Sequence, residues 1–365
     1  MLVKQAIGQP LTNSGPMHFH KNGFITINRK EEFSRGFRWK LGINTNPCVQ
    51  LRNGKRCVFC GFLNYRNPIS PRTVGRYFNE VFRNSNLSDI RRLELYVSGS
   101  FFDDKEVSFD SRLEIIKSIN NSEIEETILE SRPEFITEEN LKPITDLINP
   151  KRITIAMGVE TMDDRLRDEL SKGFSTKDIA KSLSKIAKAG MNFQAYLLLN
   201  PPGINNDRNA IIDVVNSSKK IISLTKKMDC HLSLALQPFF IAKNSKVSEN
   251  WRKSPIRPPW LYTVALTLKL LDSIRTREKS NLNVILGNEN DNVVPIRTPS
   301  NYTGNGDVCS CTERVRSHLR EINISQKKLE ENIHKILESP CYCRKVWEKE
   351  ISAHKLMSNL ITGHA

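Results

Sequence analysis

Leu93-Glu-Leu-Tyr-Val97, running into Ser98-Gly-Ser-Phe-Phe-Asp103, reads as a β-strand that ends in a polar turn. The same signature recurs along the chain. Strand patterns lie at residues 37–44, 126–131, 152–159, 192–199 and 231–237. Helical patterns fall between them. One starts at Ser70 with an early proline, one covers 109–119, and one starts at Thr137 with acids in its first turn. Another covers 175–189 and is stopped by Gly190, and the last covers 207–226. Strands that alternate with helices argue for parallel β/α units. Six such units over residues 40–240 predict an α/β fold, a partial (β/α)6 TIM-like barrel. No glycine-rich phosphate loop follows any strand, which argues against a doubly wound dinucleotide fold.

The polar residues fall where barrel chemistry resides, at the C-terminal ends of the strands. Strand two delivers Ser98, Gly99 and Ser100, and strand three Glu130, Ser131 and Arg132. Strand four delivers Gly158, Glu160 and Thr161, strand five Asn200 and strand six Gln237. Each alone has an ordinary reading as turn chemistry or a surface pair. Their convergence on one rim is what points to a site.

Strand one leads into Cys48-Val-Gln-Leu-Arg-Asn-Gly-Lys-Arg-Cys57-Val-Phe-Cys60, three thiols with gaps of eight and two residues. Three cysteines suit an iron–sulfur cluster with one iron left open. Zinc structural sites want four protein ligands and a redox dithiol wants two. Spacing alone leaves open a cluster, part of a zinc knuckle, or unrelated thiols. Lys55 and Arg56 sit in the same loop, where positive charge lowers a thiol pKa.

The chain has 365 residues and 38% hydrophobic residues, ordinary for a globular protein. It has no long apolar run for a membrane span and its first residues lack a signal-peptide core, so the cytoplasm is expected. In that reducing setting, clustered cysteines are metal ligands rather than disulfides. The 55 Lys and Arg exceed the 40 Asp and Glu, a net charge of +15. That suits a polyanion such as RNA, although a solvated basic surface accounts for it equally, because the basic residues are scattered. Residues 1–39 read as an irregular extension, with His18 and His20 flanking Phe19, and residues 241–365 as a mainly helical C-terminal extension.

Several segments together resemble the radical S-adenosylmethionine superfamily. They are Tyr96-Val-Ser-Gly-Ser-Phe-Phe-Asp103, Glu130-Ser-Arg-Pro-Glu-Phe135, Gly158-Val-Glu-Thr161, Lys172-Gly-Phe174, Ala195-Tyr-Leu-Leu-Leu-Asn-Pro-Pro202 and Arg257-Pro-Pro-Trp260. The wide first cysteine gap approaches that of the elongator-type members, and the chain more closely resembles the archaeosine-forming radical S-adenosylmethionine lyases. The likeness covers roughly residues 40–265. It implies a [4Fe–4S] cluster on Cys48, Cys57 and Cys60, with S-adenosylmethionine on the open iron. Ser98, Gly99 and Ser100 would face the methionine amino group through backbone carbonyls, because no acidic residue of the usual glycine-glycine-glutamate kind is present. Glu130, Ser131, Arg132, Glu160 and Asn200 would bind cofactor or substrate. The family's substrate is a tRNA carrying a 7-deazaguanine conjugated to an amino acid, usually lysine, and the reaction cleaves a carbon–nitrogen bond to give archaeosine. The implied partners are that tRNA, the transglycosylase paralogue that attaches the amino acid, and an external electron donor. Methyl or methylthio transfer on RNA, and a non-catalytic zinc-stabilised RNA-binding protein, are the rival readings.

In the C-terminal third, Trp251, Arg252, Arg257 and Trp260 offer aromatic and basic groups to an unpaired base and phosphate; alternatively they form a proline-rigid connector packed on the barrel. Residues 261–275 read as an amphipathic helix. Cys309-Ser-Cys311 and Cys341-Tyr-Cys343 make a second cysteine set, suited to zinc or a second cluster, around a helical stretch over 313–338. That stretch carries Arg314, Arg316, Arg320, Lys327 and Lys328, with acids among them. Cys230 reads as a core thiol.

Overall fold

The computed structural model describes residues 25–33, 36–62, 67–204, 206–226, 228–253, 256–278, 282–287 and 294–351. The six expected strands all form: β2 (Gly36–Ile43), β3 (Ile90–Tyr96), β4 (Glu126–Glu130), β5 (Ile153–Glu160), β6 (Asn192–Leu199) and β7 (Leu232–Pro238). They pair in parallel and in sequence order. The sheet curls into an open half-barrel.

It also extends beyond both ends of the expected barrel. β1 (Ile25–Phe33) pairs antiparallel with β2, so the segment expected to be irregular through residue 39 contributes an edge hairpin. His18 and His20 lie outside the described residues. At the far edge β9 (Leu282–Leu286) pairs in parallel with β7, which places a seventh β/α unit beyond residue 240. A minor sheet pairs β8 (Ile241–Ala242) with β10 (Pro295–Arg297).

Side chains alternate along the strands with period two. Trp39, Leu41, Leu93, Leu95, Ile155, Met157, Phe193, Leu197, Leu234 and Leu236 are buried in the main core. Each such residue contributes roughly 1.5–3 kcal/mol of burial. The intervening residues are polar: Arg38, Lys40, Arg92, Glu94, Thr154, Gln194 and Ser233 are also buried. Parallel sheets are normally apolar on both faces. Here the polar face carries a charge network: Arg92 pairs with Glu94 (3.0 Å) and Glu126 (2.9 Å) and donates to Gln194, while Tyr96 donates to Glu94 (2.7 Å). Burial works against the charge on Glu94, but Arg38, Arg92 and Lys40 hold it ionised, well below the usual carboxylate range.

Local signals set most helix ends. Ser108, Thr137 and Ser175 each accept an N–H bond at a helix start, and Ser175 forms a full capping box with Asp178. Gly190, at φ +70, ends Thr176–Lys188 as expected. Two expectations are corrected. The helix expected from Ser70 begins at Val74 after Thr73. The helix expected as amphipathic, Leu261–Glu278, is buried almost all round because the sheet lies on one side and C-terminal helices on the other. Residues 313–338 are two helices, Thr312–Arg320 and Gln326–Leu337. No described helix is long and apolar enough to cross a membrane.

Candidate active site

Cys48 follows the short loop after β2 and caps the single-turn helix Val49–Arg52, whose Arg52 N–H donates to the Cys48 carbonyl (3.0 Å). Cys57 and Cys60 share a turn closed by Cys60 N–H to the Cys57 carbonyl (3.1 Å). All three thiols are free and half-buried. Burial pushes the Cys60 thiol up to about 12, and burial raises Cys48 as well; each also feels Cys57 as a neighbour. The cations that oppose this are Arg132 at Cys48 and Lys172 at Cys60. Lys55 and Arg56 do not serve that role: Lys55 is exposed, and Arg56 turns away to the Asn244 carbonyl and Glu249.

The strand-two turn is organised from beneath. Ser98 N–H donates to Thr45 Oγ1 (3.0 Å), and Ser98 Oγ donates to the Thr45 carbonyl (2.9 Å). Ser100 N–H donates to Glu106 Oε2 (3.1 Å), and Gly99 N–H faces the same carboxylate. These peptides are trans, so committing the N–H groups of residues 98, 99 and 100 to one side turns the carbonyls of Val97, Ser98 and Gly99 to the other. Gly99 has to be glycine, because a Cβ there would lie 2.3 Å from the Cys48 Cβ and 2.9 Å from Glu106 Oε1. The serine hydroxyls face neighbours rather than open space: Ser100 Oγ accepts the Arg132 N–H (3.1 Å).

Glu106 was not legible as a site residue. It is wholly buried, and its Oε1 has no hydrogen-bond partner among the described residues. Burial, with Asp103 adding, pushes its carboxyl up to about 8, against the Ser100 N–H and Arg52. An unfolded glutamate titrates near 4.3. Between those values the folded chain holds the extra proton, so this group's contribution to stability falls as pH rises through the window. Glu106→Gln mimics the protonated acid. In the apo chain it is expected to flatten that decline in a melting series from about pH 5 to 9; a slope identical to the parent's would refute the assignment.

Strands three to five complete the rim. The Arg132 guanidinium bonds Glu134 (2.6 Å) and the Lys172 carbonyl (2.7 Å), so its fork ties the rim together rather than standing open for a carboxylate. Ser131 is buried and turns its hydroxyl to the Arg132 carbonyl. Glu130 lies beside the Tyr196 hydroxyl on the polar face. Glu160 pairs with Lys172 at 2.9 Å. Asn200 donates to the Arg257 carbonyl (2.9 Å), and its buried Oδ1 has no hydrogen-bond partner among the described residues. Glu160 and Asn200 both adopt φ +62. Left-handed backbone at a non-glycine residue is strained and concentrates at functional sites.

Of the two readings of the connector, packing on the protein is the one the structure favours. Trp260 is buried at 3% exposure, stacks edge-on with Tyr302 and donates to Glu350, which corrects its reading as a base platform. Arg257 is held by Asp207 and Glu350. Trp251 packs with Val58 and Phe59 of the cysteine loop on the Leu198, Phe239 and Ile241 cluster, and Arg252 is exposed beside it. Cys309, Cys311, Cys341 and Cys343 come together, all Sγ within 4.8 Å. Cys230 is half-buried and bonds its neighbour's carbonyl.

No protein-family model matches the chain. Archaeosine synthase subunit beta of Methanosarcina acetivorans is 24% identical over 299 residues, 80% of this chain and 79% of that one. Archaeosine synthase subunit beta of Thermococcus kodakarensis is 27% identical over 237 residues, 61% and 68%. An uncharacterized protein of Methanocaldococcus jannaschii is 25% identical over 328 residues, 88% and 83%. Among solved structures, Streptococcus suis SuiB bound to S-adenosylmethionine is similar with a TM-score of 0.50 and 12% identity; the match covers 70% of this chain and only 51% of that one. That likeness is one of fold, the half-barrel of the radical S-adenosylmethionine type.

Proposed function

We propose that this chain, related in sequence to archaeosine synthase subunit beta and built on a radical S-adenosylmethionine half-barrel, is a carbon–nitrogen lyase acting on modified tRNA. Cys48, Cys57 and Cys60 would hold a [4Fe–4S] cluster, and the carbonyls of Val97, Ser98 and Gly99 would accept the amino group of S-adenosylmethionine. Three free thiols beside a turn whose Ser98 and Ser100 N–H groups are committed underneath fit that pair: a cluster with one open iron, and acceptors for an ammonium group. This is the observation that carries the reading.

When bound, the cluster and S-adenosylmethionine supply a 5′-deoxyadenosyl radical as the hydrogen abstractor. The chain's part is positional. Glu160, Asn200 and the Glu130–Tyr196 pair border the polar face of the half-barrel, which supplies hydrogen-bonding groups for the conjugated amino acid. Hydrogen abstraction from the carbon next to the linking nitrogen, loss of that radical's odd electron to a one-electron acceptor, and addition of water to the resulting carbon–nitrogen cation would break the bond, leaving the nitrogen on the 7-deazaguanine as the formamidine of archaeosine and releasing the amino acid as its side-chain aldehyde. The net charge of +15 supports a tRNA substrate. The relatives' designation as subunit beta supports a partner subunit, the transglycosylase paralogue that attaches lysine, and an external donor would deliver the electron. Free thiols throughout are in keeping with the cytoplasm.

The test is anaerobic incubation of the reconstituted chain with S-adenosylmethionine, a reductant and tRNA bearing the lysine conjugate, followed by nucleoside analysis. Archaeosine and 5′-deoxyadenosine in matched amounts are expected. A transferred methyl or methylthio group would replace the lyase reading with group transfer, and the absence of 5′-deoxyadenosine would remove the radical reading altogether.

A further inference from the structure

We infer that Cys309, Cys311, Cys341 and Cys343 form a closed structural zinc site that fixes the last helix and, through it, the connector at the barrel rim. The assignment does not depend on the reaction proposed above. The closest sulfur pairs are 3.2 Å (Cys341–Cys343), 3.3 Å (Cys311–Cys343) and 3.4 Å (Cys309–Cys341), and all four sulfurs lie within 4.8 Å of one another. A zinc ion at about 2.3 Å from each of four thiolates sets them about 3.8 Å apart. A cubane spreads its cysteines over separate irons and so needs a wider set. With four protein ligands no position remains open, which is the pattern of a structural rather than a catalytic zinc.

The surroundings are built for thiolates. Asn301 Nδ2–H points at Cys311 Sγ (3.5 Å), and the Asn301 carbonyl accepts the Cys309 N–H (2.7 Å). The Tyr262 hydroxyl, wholly buried, lies 3.3 Å from Cys343 Sγ and 3.8 Å from Cys311 Sγ. Such outer donors orient and stabilise metal-bound sulfur.

The last helix, Tyr342–Ile351, carries Cys343, Trp347 and Glu350 on one face at helical spacing. Trp347 donates to Thr263 Oγ1 (2.8 Å), and Thr263 donates to buried Asp207 (2.5 Å). Glu350 takes both the Arg257 guanidinium and the Trp260 indole N–H. Asp207 pairs with Arg257 (3.1 Å), and the Arg257 carbonyl receives Asn200 at the end of β6. Metal binding at one end of this helix is thereby continuous with the rim.

The experiment uses the full chain. Zinc at about one per chain is expected in the parent and equally in the Cys48/Cys57/Cys60→Ala variant, with at least a tenfold fall in Cys343→Ser. Four further irons per chain in place of zinc, or no metal with the four thiols oxidised, would overturn the assignment. Because Cys343→Ser can fail to fold, zinc is also stripped from the parent by chelation and then restored. Amide exchange of residues 256–262 and 342–351 is expected to speed up on stripping and to recover on addition of zinc. Unchanged exchange at 256–262 would overturn the coupling to the rim. Glu350→Gln is expected to keep its zinc while loosening 256–262 alone; loss of zinc in that variant would overturn the order of the linkage.

Discussion

A chain carrying Cys48→Ala, Cys57→Ala and Cys60→Ala is expected to bind none of the iron held by the reconstituted parent and to make no 5′-deoxyadenosine, while keeping its fold. The backbone, not the thiols, holds this loop. Arg52 N–H bonds the Cys48 carbonyl, Lys55 N–H the Gln50 carbonyl (2.8 Å), and Val58 N–H the Leu170 carbonyl (3.2 Å). The side chains themselves are half-buried, and the Cys57 Sγ meets the Ser171 carbonyl only at 3.8 Å. Circular dichroism and melting are therefore expected to stay close to the apo parent, which separates lost chemistry from lost structure. Cluster loading should also depend on pH. Burial raises Cys48 and holds Cys60 at about 12, so ligation releases protons and reconstitution is expected to quicken as pH rises above neutrality. Iron retained by the triple variant, or 5′-deoxyadenosine made at the parent's rate, would sink the cluster assignment.

The sheet was legible because its strands are short, alternating and closed by polar turns; all six expected parallel strands form. The outer two strands were not. Ile25–Phe33 mixes Lys, Arg and Glu into its alternation, as an edge strand does, and so looks like a charged loop. Leu282–Leu286 is only five residues, and its partners lie far back in the chain. Pairing supplies the evidence for both, and pairing is not written locally.

The candidate site divides in a similar way. Residues at strand ends are placed by periodicity, so the convergence of the three thiols with Gly99, Arg132 and Glu160 could be read in advance. The cations that serve the thiols could not. Lys55 and Arg56 are neighbours in sequence, whereas Lys172 and Arg132 are neighbours in space, delivered from other strand–helix units. Glu106 escaped for the same reason: it follows the strand-two turn as one more acid among Asp103 and Asp104, and only the folded chain puts it under Ser100. The tryptophans show how composition alone leaves two readings open. Trp260 beside prolines and an arginine has the composition of a nucleic-acid contact, but a helix ninety residues further on covers it.

Removing the positive charge of Lys172 is expected to be among the most destabilising single changes in the chain. The Lys172–Glu160 pair is 2.9 Å long, and its side chains are 10% and 8% exposed. Burial opposes the Lys172 charge, but Glu160 and Cys57 outweigh it, and its pKa is raised. Its contribution is therefore fully present below the unfolded lysine value near 10.4 and fades only as pH climbs through the higher folded value. Lys172→Met leaves the Glu160 carboxylate buried with its cation gone, which costs about 3–5 kcal/mol. Glu160→Gln alone strands the ammonium instead, against Arg132 nearby. Lys172→Met combined with Glu160→Gln removes both charges and is expected to recover much of the loss, because uncharged replacement of a buried pair is often close to neutral. Denaturant midpoints of the four proteins at pH 7 close the cycle. The backbone of Lys172 sharpens the interpretation: its carbonyl receives both Gln50 of the cysteine loop and Arg132 of strand three, and substitution leaves those bonds in place. A fall in stability that the double variant restores thus isolates the ion pair. A loss below about 1 kcal/mol in Lys172→Met would mean that water screens this pair as it does a surface one, and that Glu160 faces an open cavity.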